Sequence, residues 1–169
     1  KSLADQSGDP VFLPVIDRNE AVCVARQVGP FPIRTLTLNV GDRRPLGLGA
    51  GSLALLAALP AEQRMQVVQQ TAQRLPAYSG YDTTRIQRLI EETVERGYSF
   101  NAGTIVAGMN AIGMAVPDAD GLPAAALSIA AIADRMTPDR RDEIAALLRR
   151  ETDKITQLLN PLKAPRATA

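Results

Sequence analysis

The hydrophobic pattern of this chain switches between two periods. From Gly97 to Asp118, GYSFNAGTIVAGMNAIGMAVPD, and on through DGLPAAALSIAA, it reads as a strand, a loop and a second strand. A turn at Asp118-Ala119-Asp120-Gly121 then leads into a third. Alternate residues of a strand face opposite sides of a sheet. One side therefore carries Ala111, Gly113 and Ala115 beside Ala124, Ala126, Ser128 and Ala130. The other carries Ile112, Met114 and Val116 beside Leu127 and Ile129. The bulky side packs a core. The small side leaves room, either for a closely packed helix or for the floor of a small-molecule cavity.

Earlier in the chain, residues 11–16 (VFLPVI) and 21–28 read as a hairpin around Asp17-Arg18-Asn19-Glu20, with Pro14 marking an edge or a bulge. Residues 33–40 (IRTLTLNV), rich in β-branched residues and Leu, predict a further strand. The period then lengthens. Glycines cluster in PLGLGAGS ahead of an apolar helix over 53–59, and a second helix starts at Pro60 with Met65, Val68, Ala72 and Leu75 on one face. A third spans Thr83–Arg96 with Ile86, Ile90 and Val94 as its stripe. The last opens at Thr137-Pro138, a cap followed by proline, and runs to about Asn160, where Pro161 stops it. Ile144, Leu148, Glu151, Ile155 and Leu159 line one side of it, the pattern of a sheet-covering or partner-contacting helix. Strands, helices, strands and a helix joined by tight turns predict an α+β domain on a central antiparallel sheet. The Ala/Pro-rich end, 164–169, is expected to be a disordered tail.

Composition narrows the function more than the fold. At 169 residues the chain suits one domain, and 46% hydrophobic with 22% charged residues is the balance of a soluble globular protein. No apolar run approaches the roughly 18–20 residues that span a bilayer. The opening Lys1-Ser2-Leu3-Ala4-Asp5 lacks the regions of a signal peptide, so a cytoplasmic location without membrane contact is expected. The lone Cys23 excludes an internal disulfide and fits a reducing compartment. Within Ala21-Val22-Cys23-Val24-Ala25 it reads as a small buried strand residue.

Histidine is absent, which removes Ser-His-Asp and Cys-His catalysis and most zinc sites. No catalytic residue, cofactor or metal is therefore expected. A net charge of +1 and 4% aromatic residues without Trp give neither a basic footprint nor stacking platforms, so this segment is a poor nucleic-acid binder. Arg140-Arg141 and Arg149-Arg150 sit among Asp139, Asp142, Glu143 and Glu151, the pattern of a solvated helix face.

Gly47-Leu48-Gly49-Ala50-Gly51-Ser52 invites a nucleotide reading, and fails it. Ser52 stands where the dinucleotide fingerprint needs its last Gly, and Leu53 follows Ser52 where a P-loop needs a Gly-Lys-Ser/Thr ending. A flexible loop feeding a helix still presents unpaired N–H groups at the positive end of a dipole, with Ser52 as a cap or an outward hydroxyl. Such a site takes a carboxylate as well as a phosphate. A turn that merely needs glycine dihedrals is the equal alternative.

Gly97, Asn101, Thr104, Ala111, Ile112, Gly113, Val116, Pro117 and Asp118 keep a spacing that matches a known family signature, and Arg44-Pro45-Leu46 through Ala57 (RPLGLGAGSLALLA) matches a second segment without gaps. Together they resemble the effector-binding domain of the IclR-type bacterial transcriptional regulators, whose fold is similar to a GAF domain. The likeness runs from Val11 to about Leu159. Asn101 and Thr104 stand where the family has an acid and Glu, and Pro117 where it has an aromatic or His; Gly47, Gly49, Ser52 and Leu53 depart in the second segment.

The resemblance implies a linker remnant over 1–10, left from an N-terminal winged helix-turn-helix, and an effector-binding GAF-like domain over 11–163. It implies effector contacts at Gly49, Ala50, Gly51 and Ser52, at Asn101, at Met109 and Ala111, and at Ser128 and Ala130, with Leu36 as an apolar wall. It further implies a transcription factor, most often a repressor, that binds a small organic effector, generally a carboxylate, and contacts DNA only through the missing domain as a homodimer or homotetramer. Ala130, where acid-sensing relatives often carry a hydroxyl, points to an aromatic or longer-chain acid. An oligomerisation domain with a vestigial pocket and a small-molecule enzyme are the competing readings.

Overall fold

The computed structural model describes residues 2–33, 38–78 and 80–160. Its sheet has six strands in the order β3-β2-β1-β6-β5-β4, every neighbouring pair antiparallel. The expected first hairpin is β1 (Val11–Asp17) with β2 (Glu20–Gln27). Pro14 has no N–H to give to a ladder. The register shifts between Leu13 and Pro14, with Val24 as the unpaired extra residue of the bulge. β4 (Ser99–Ala102), β5 (Met109–Pro117) and β6 (Pro123–Ile132) follow as the alternation predicted.

The strand expected over 33–40 is not found where it can be followed. Residues 34–37, and Leu36 with them, lie outside the described residues. Ile33 and Val40 are largely exposed, and Leu38 to Val40 belong to no strand. The physical reason is a local turn: Asp42 takes the Asn39 N–H on its carboxylate at 2.7 Å, and Gly41 adopts φ 93°. The strand beside β2 is instead β3 (Arg43–Pro45).

The two faces of β5 and β6 divide the core. Ile112, Met114, Val116, Leu127 and Ile129 pack with Ile144 and Leu148 of α5 (Pro138–Leu159) and with Leu3 and Ala4 of α1 (Ser2–Ser7). On the small face, Ala111 pairs with Ala130, Gly113 with Ser128 and Ala115 with Ala126. Part of that face receives α2 (Ala50–Ala58). A Cβ on Gly113 would lie 2.6 Å from the Ala50 carbonyl, so only glycine admits the helix this closely. Ser99 Oγ donates to the same carbonyl at 2.6 Å. Leu55 and Leu56 are fully buried, each contributing about 1.5–3 kcal/mol. That burial holds α2 without any side-chain cap. Ala111, Ser128 and Ala130 lie beyond the helix start, where the face is left uncovered.

α4 (Thr83–Arg96) is capped by Asp82, which accepts from the Arg85 N–H, and closed by Gly97 at φ 77°. Its buried stripe is Ile86, Ile90 and Thr93; Val94, expected inside, is 59% exposed. In α3 (Ala61–Thr71), Met65 is likewise exposed, because only the second half, Val67, Val68 and Thr71, reaches the core. α5 begins as expected on Thr137, but it outruns the sheet, leaving Leu158 and Leu159 to solvent.

Residues 2–10, expected as linker, are packed into the domain through α1. Asp9 is buried and accepts from Arg135 at 3.1 and 3.2 Å and from Arg140 at 3.0 Å. Arg140, expected on a solvated face, therefore binds a buried carboxylate, and Arg141 lies over the Phe100 ring. The tail at 164–169 lies outside the described residues. No helix among the described residues is long and apolar enough to cross a membrane.

Candidate binding cavity

The uncovered part of the small face floors a cavity of about 70 Å³, several times the room one water needs. Ala111, Ser128 and Ala130 form its floor, while Phe12 and Pro14 of β1 and Ala21 and Cys23 of β2 flank it. Ile105, Val106 and Met109, from the β4–β5 connection and the start of β5, close one side. Gly49, Ala50, Gly51 and Ser52 close another, and Leu38, Arg44, Leu48, Asn101 and Asn110 complete the wall. Every residue that the resemblance singled out is brought to this one cavity except Leu36, which lies outside the described residues.

The glycine segment is a turn that needs glycine dihedrals, and it leads into a helix start at the cavity wall. Gly47 (φ 97°) and Gly49 (φ 88°) need dihedrals that side chains resist, and they turn the chain from β3 into α2. Gly51 is required for a different reason. A Cβ there would stand 2.7 Å from Pro14 Cγ and 2.9 Å from Ser128 Oγ, so the helix start is wedged between β1 and β6.

The helix begins at Ala50, three residues earlier than the apolar run predicts, with Gly49 as its cap. Ser52 accordingly neither caps nor points outward. Its hydroxyl accepts from the Gly47 N–H at 3.0 Å and donates to the Pro45 carbonyl at 3.2 Å, bracing the turn from inside. The first N–H to find an acceptor in this helix is that of Leu53, on Gly49 O. Those of Ala50, Gly51 and Ser52 precede it at the cavity wall and have no carbonyl one turn back within the helix.

Asn101 is buried and hydrogen-bonded through both its amide nitrogen and its carbonyl. Its amide donates to Tyr81 OH at 3.3 Å, and its carbonyl accepts from the Thr104 N–H at 3.2 Å and the Thr104 hydroxyl at 2.8 Å. The two positions that carry acids in the family thus form a neutral pair here. They do not simply face solvent.

Arg44 is the functional candidate that sequence reasoning passed over. Arg43 turns outward to Asp17 and Glu20, both at 2.6 Å, while Arg44 pairs with Ala21 on the inner face and lines the cavity. Burial pushes the Arg44 guanidinium below its usual range; the opposing pull of Tyr78, Asp42 and Tyr81 is smaller. The signal was the alternation of an Arg-Arg pair, but a three-residue strand is too short to announce its faces. Burial likewise raises the Cys23 thiol, which stays protonated and weakly bonded to Ala25 O at 3.4 Å. Among the described residues lining the cavity, Arg44 is the single charged side chain, and no acid is present. No cluster of potential metal ligands occurs among the described residues.

Residues 1–157 match the family model described as "Bacterial transcriptional regulator IclR C-terminal". The chain is 34% identical over 154 residues to the HTH-type transcriptional repressor AllR of Klebsiella pneumoniae, covering 90% of this chain and 56% of that protein. It is 30% identical over 160 residues to AllR of Salmonella typhimurium, covering 94% and 58%. It therefore spans little more than half the length of these relatives, which are named as regulators and not as enzymes.

Among solved structures it superposes on the Thermotoga maritima IclR with a TM-score of 0.84 at 22% identity, covering 94% of this chain and 64% of that one. On the Agobacterium tumefaciens repressor BlcR the score is 0.78 at 24% identity, covering 92% and 61%. These likenesses carry the fold, an α+β, GAF-like domain. With a family match over nearly its whole length and the same fold in the solved members, the chain belongs to the IclR family of bacterial transcriptional regulators, as its C-terminal domain.

Proposed function

We propose that this domain senses a small organic acid in the cavity and transmits its presence to a DNA-binding domain elsewhere in the full protein, which acts as a cytoplasmic repressor. The carrying observation is the cavity itself. Small residues on β5 and β6 keep it open, and Arg44 and the start of α2 form a positive end facing otherwise mostly apolar walls. The apolar walls, Phe12, Leu38, Ile105, Val106 and Met109, suit a carboxylic acid with an aromatic or aliphatic body, and Ala130 adds no hydroxyl.

The DNA-binding part of the proposal rests on the relatives' name, HTH-type repressor. A homodimer or homotetramer would present two DNA-binding domains, and a ligand with unequal affinity for two arrangements of them would shift operator binding. The test is a thermal-unfolding screen of this chain against small acids, followed by operator binding of the full-length protein with each hit. At least one acid should raise the midpoint saturably and change DNA affinity. Silence across the screen, with a folded protein, would leave an oligomerisation domain as the better reading.

A further inference from the structure

We propose that residues 103–108, the connection from β4 to β5, form a flap that opens the cavity, and that a latch from Thr104 to Asn101 holds it shut. This goes beyond the sensor reading, because it concerns how a molecule reaches the cavity and not what binds there.

The first observation is that the cavity is closed. Phe12, Cys23, Ser128 and Ala130 line it and are all buried, so a molecule enters only if a wall moves. The sheet and the start of α2 are held firmly. β1, β2, β5 and β6 are tied by their ladders, and Gly51 is wedged between Pro14 and Ser128. The β4–β5 connection has no such hold. Its ladder stops at Ala102 and Asn110, and residues 103–108 belong to no strand or helix.

The second is how this segment is hinged. Gly103 (φ 67°) and Gly108 (φ 78°) bound it in the left-handed region. A Cβ on Gly108 would meet nothing within 4 Å, and one on Gly103 nothing closer than 3.7 Å, unlike Gly51 and Gly113. These two glycines therefore serve backbone conformation and not close packing, as positions that absorb the dihedral change of a hinge do. Between them Ile105 and Val106 line the cavity, and Val106 is also 37% exposed, which places it at the mouth.

The third is the latch. Asn101, buried in β4, is fixed through its amide nitrogen to Tyr81 OH at 3.3 Å, and its carbonyl holds the Thr104 N–H and hydroxyl at 3.2 and 2.8 Å. Among the described residues, these two are the side-chain hydrogen bonds that reach into the segment. The turn bond from the Met109 N–H to the Val106 carbonyl, at 3.1 Å, crosses the second hinge and opens with it. On the far side of that hinge the Ala133 N–H holds the Gly108 carbonyl at 2.8 Å and fixes the pivot.

Cys23 is the only cysteine of the chain and lines the cavity, so its reaction with N-ethylmaleimide reads opening without any effector. Wild type should label far more slowly than the urea-unfolded chain at the same pH. Its rate should hardly change at low urea, the signature of a local opening that exposes little surface. Thr104→Val removes the hydroxyl bond and should label about three- to tenfold faster, the worth of one hydrogen bond. Its melting midpoint should fall by only about 2–4 °C. Thr104→Ser keeps the hydroxyl and should label at the wild-type rate.

A T104V rate equal to that of wild type overturns the latch, and a wild type that labels as fast as the unfolded chain overturns the flap. So does a wild-type rate that climbs steeply at low urea, since global unfolding would then be what exposes Cys23. Should T104V fail to fold, Val106→Ser decides. It loosens the apolar seat of the flap without touching the latch and should also speed labelling; an unchanged rate there sinks the proposal. None of these outcomes depends on the acid screen: a cavity without a flap can still sense, and a cavity with one can bind no acid.

Discussion

Two small residues at the cavity have opposite tolerances, although in sequence they look alike. A methyl group on Gly51 would enter the wedge between Pro14 and Ser128, at 2.7 and 2.9 Å. Gly51→Ala should therefore cost about 1–3 kcal/mol in urea unfolding, as overpacking does. Ala130 faces the void, so Ala130→Leu should fill it, abolish ligand binding and change stability by less than about 1 kcal/mol. A tolerated G51A together with a strongly destabilised A130L would mean that the packed and empty parts of this face have been exchanged.

Cys23 offers a third residue-scale reading, because it is buried and lines the cavity. Burial moves its thiol above the ordinary value of 9.0, and only the thiolate attacks a labelling reagent. Labelling should be slow at neutral pH, rise about tenfold per pH unit between 7 and 8, and show no plateau below 9. A bound acid should slow it further. A fast, pH-independent reaction would place the thiol at the surface.

Among the elements, α1 is the one whose packing sequence reasoning did not anticipate. Six residues do not make a stable helix alone. α1 persists because Leu3 and Ala4 enter the bulky-face core, and because Asp9 fastens the chain to Arg135 and Arg140. Arg140 also donates to the Ser7 carbonyl at 2.6 Å, and Arg135 stacks on Phe31. Asp9→Ala would leave two partly buried guanidinium groups facing each other, a change expected to cost about 3–5 kcal/mol. Hydrogen exchange in α1 should rise with it. A loss below about 1 kcal/mol would show this cluster behaving as an exposed surface pair. The same segment continues as Pro10, whose carbonyl accepts from the Ala130 N–H at 3.2 Å. This backbone hydrogen bond joins the cavity floor to the segment that follows α1.

At the scale of the whole molecule, the sheet separates a structural side from a cavity side. α5 and α1 cover bulky residues on one face, and α2 with α4 behind it partly covers small residues on the other. Most of this layering was legible. The alternation in β5 and β6, the helical period over Thr83–Arg96 and Thr137-Pro138 opening α5 are local signals, and the structure follows them. The cavity residues came through the family resemblance, and the alternation independently placed Ala111, Ser128 and Ala130 on one face. Neither route reached Arg44. Met65 and Val94 carried the right period for their helices but lie where those helices turn from the core.

What the chain determined by itself is whatever a few neighbouring residues can enforce. Strand alternation, helix period, caps and the turns at Gly47 and Gly49 follow from backbone geometry within one turn or one pleat. Tertiary structure alone decided how the small face is shared. Gly113 takes the Ala50 carbonyl, while Ala130, two strand steps from Gly113's partner Ser128, is left beside a void, because α2 begins at Ala50 and extends no further over the sheet. It also decided that Ser52 braces a turn from within, that Arg44 faces inward and that Asp9 meets arginines more than a hundred residues away. A cavity and a buried charge are defined by what distant segments fail or manage to bring to them, and no local period records that.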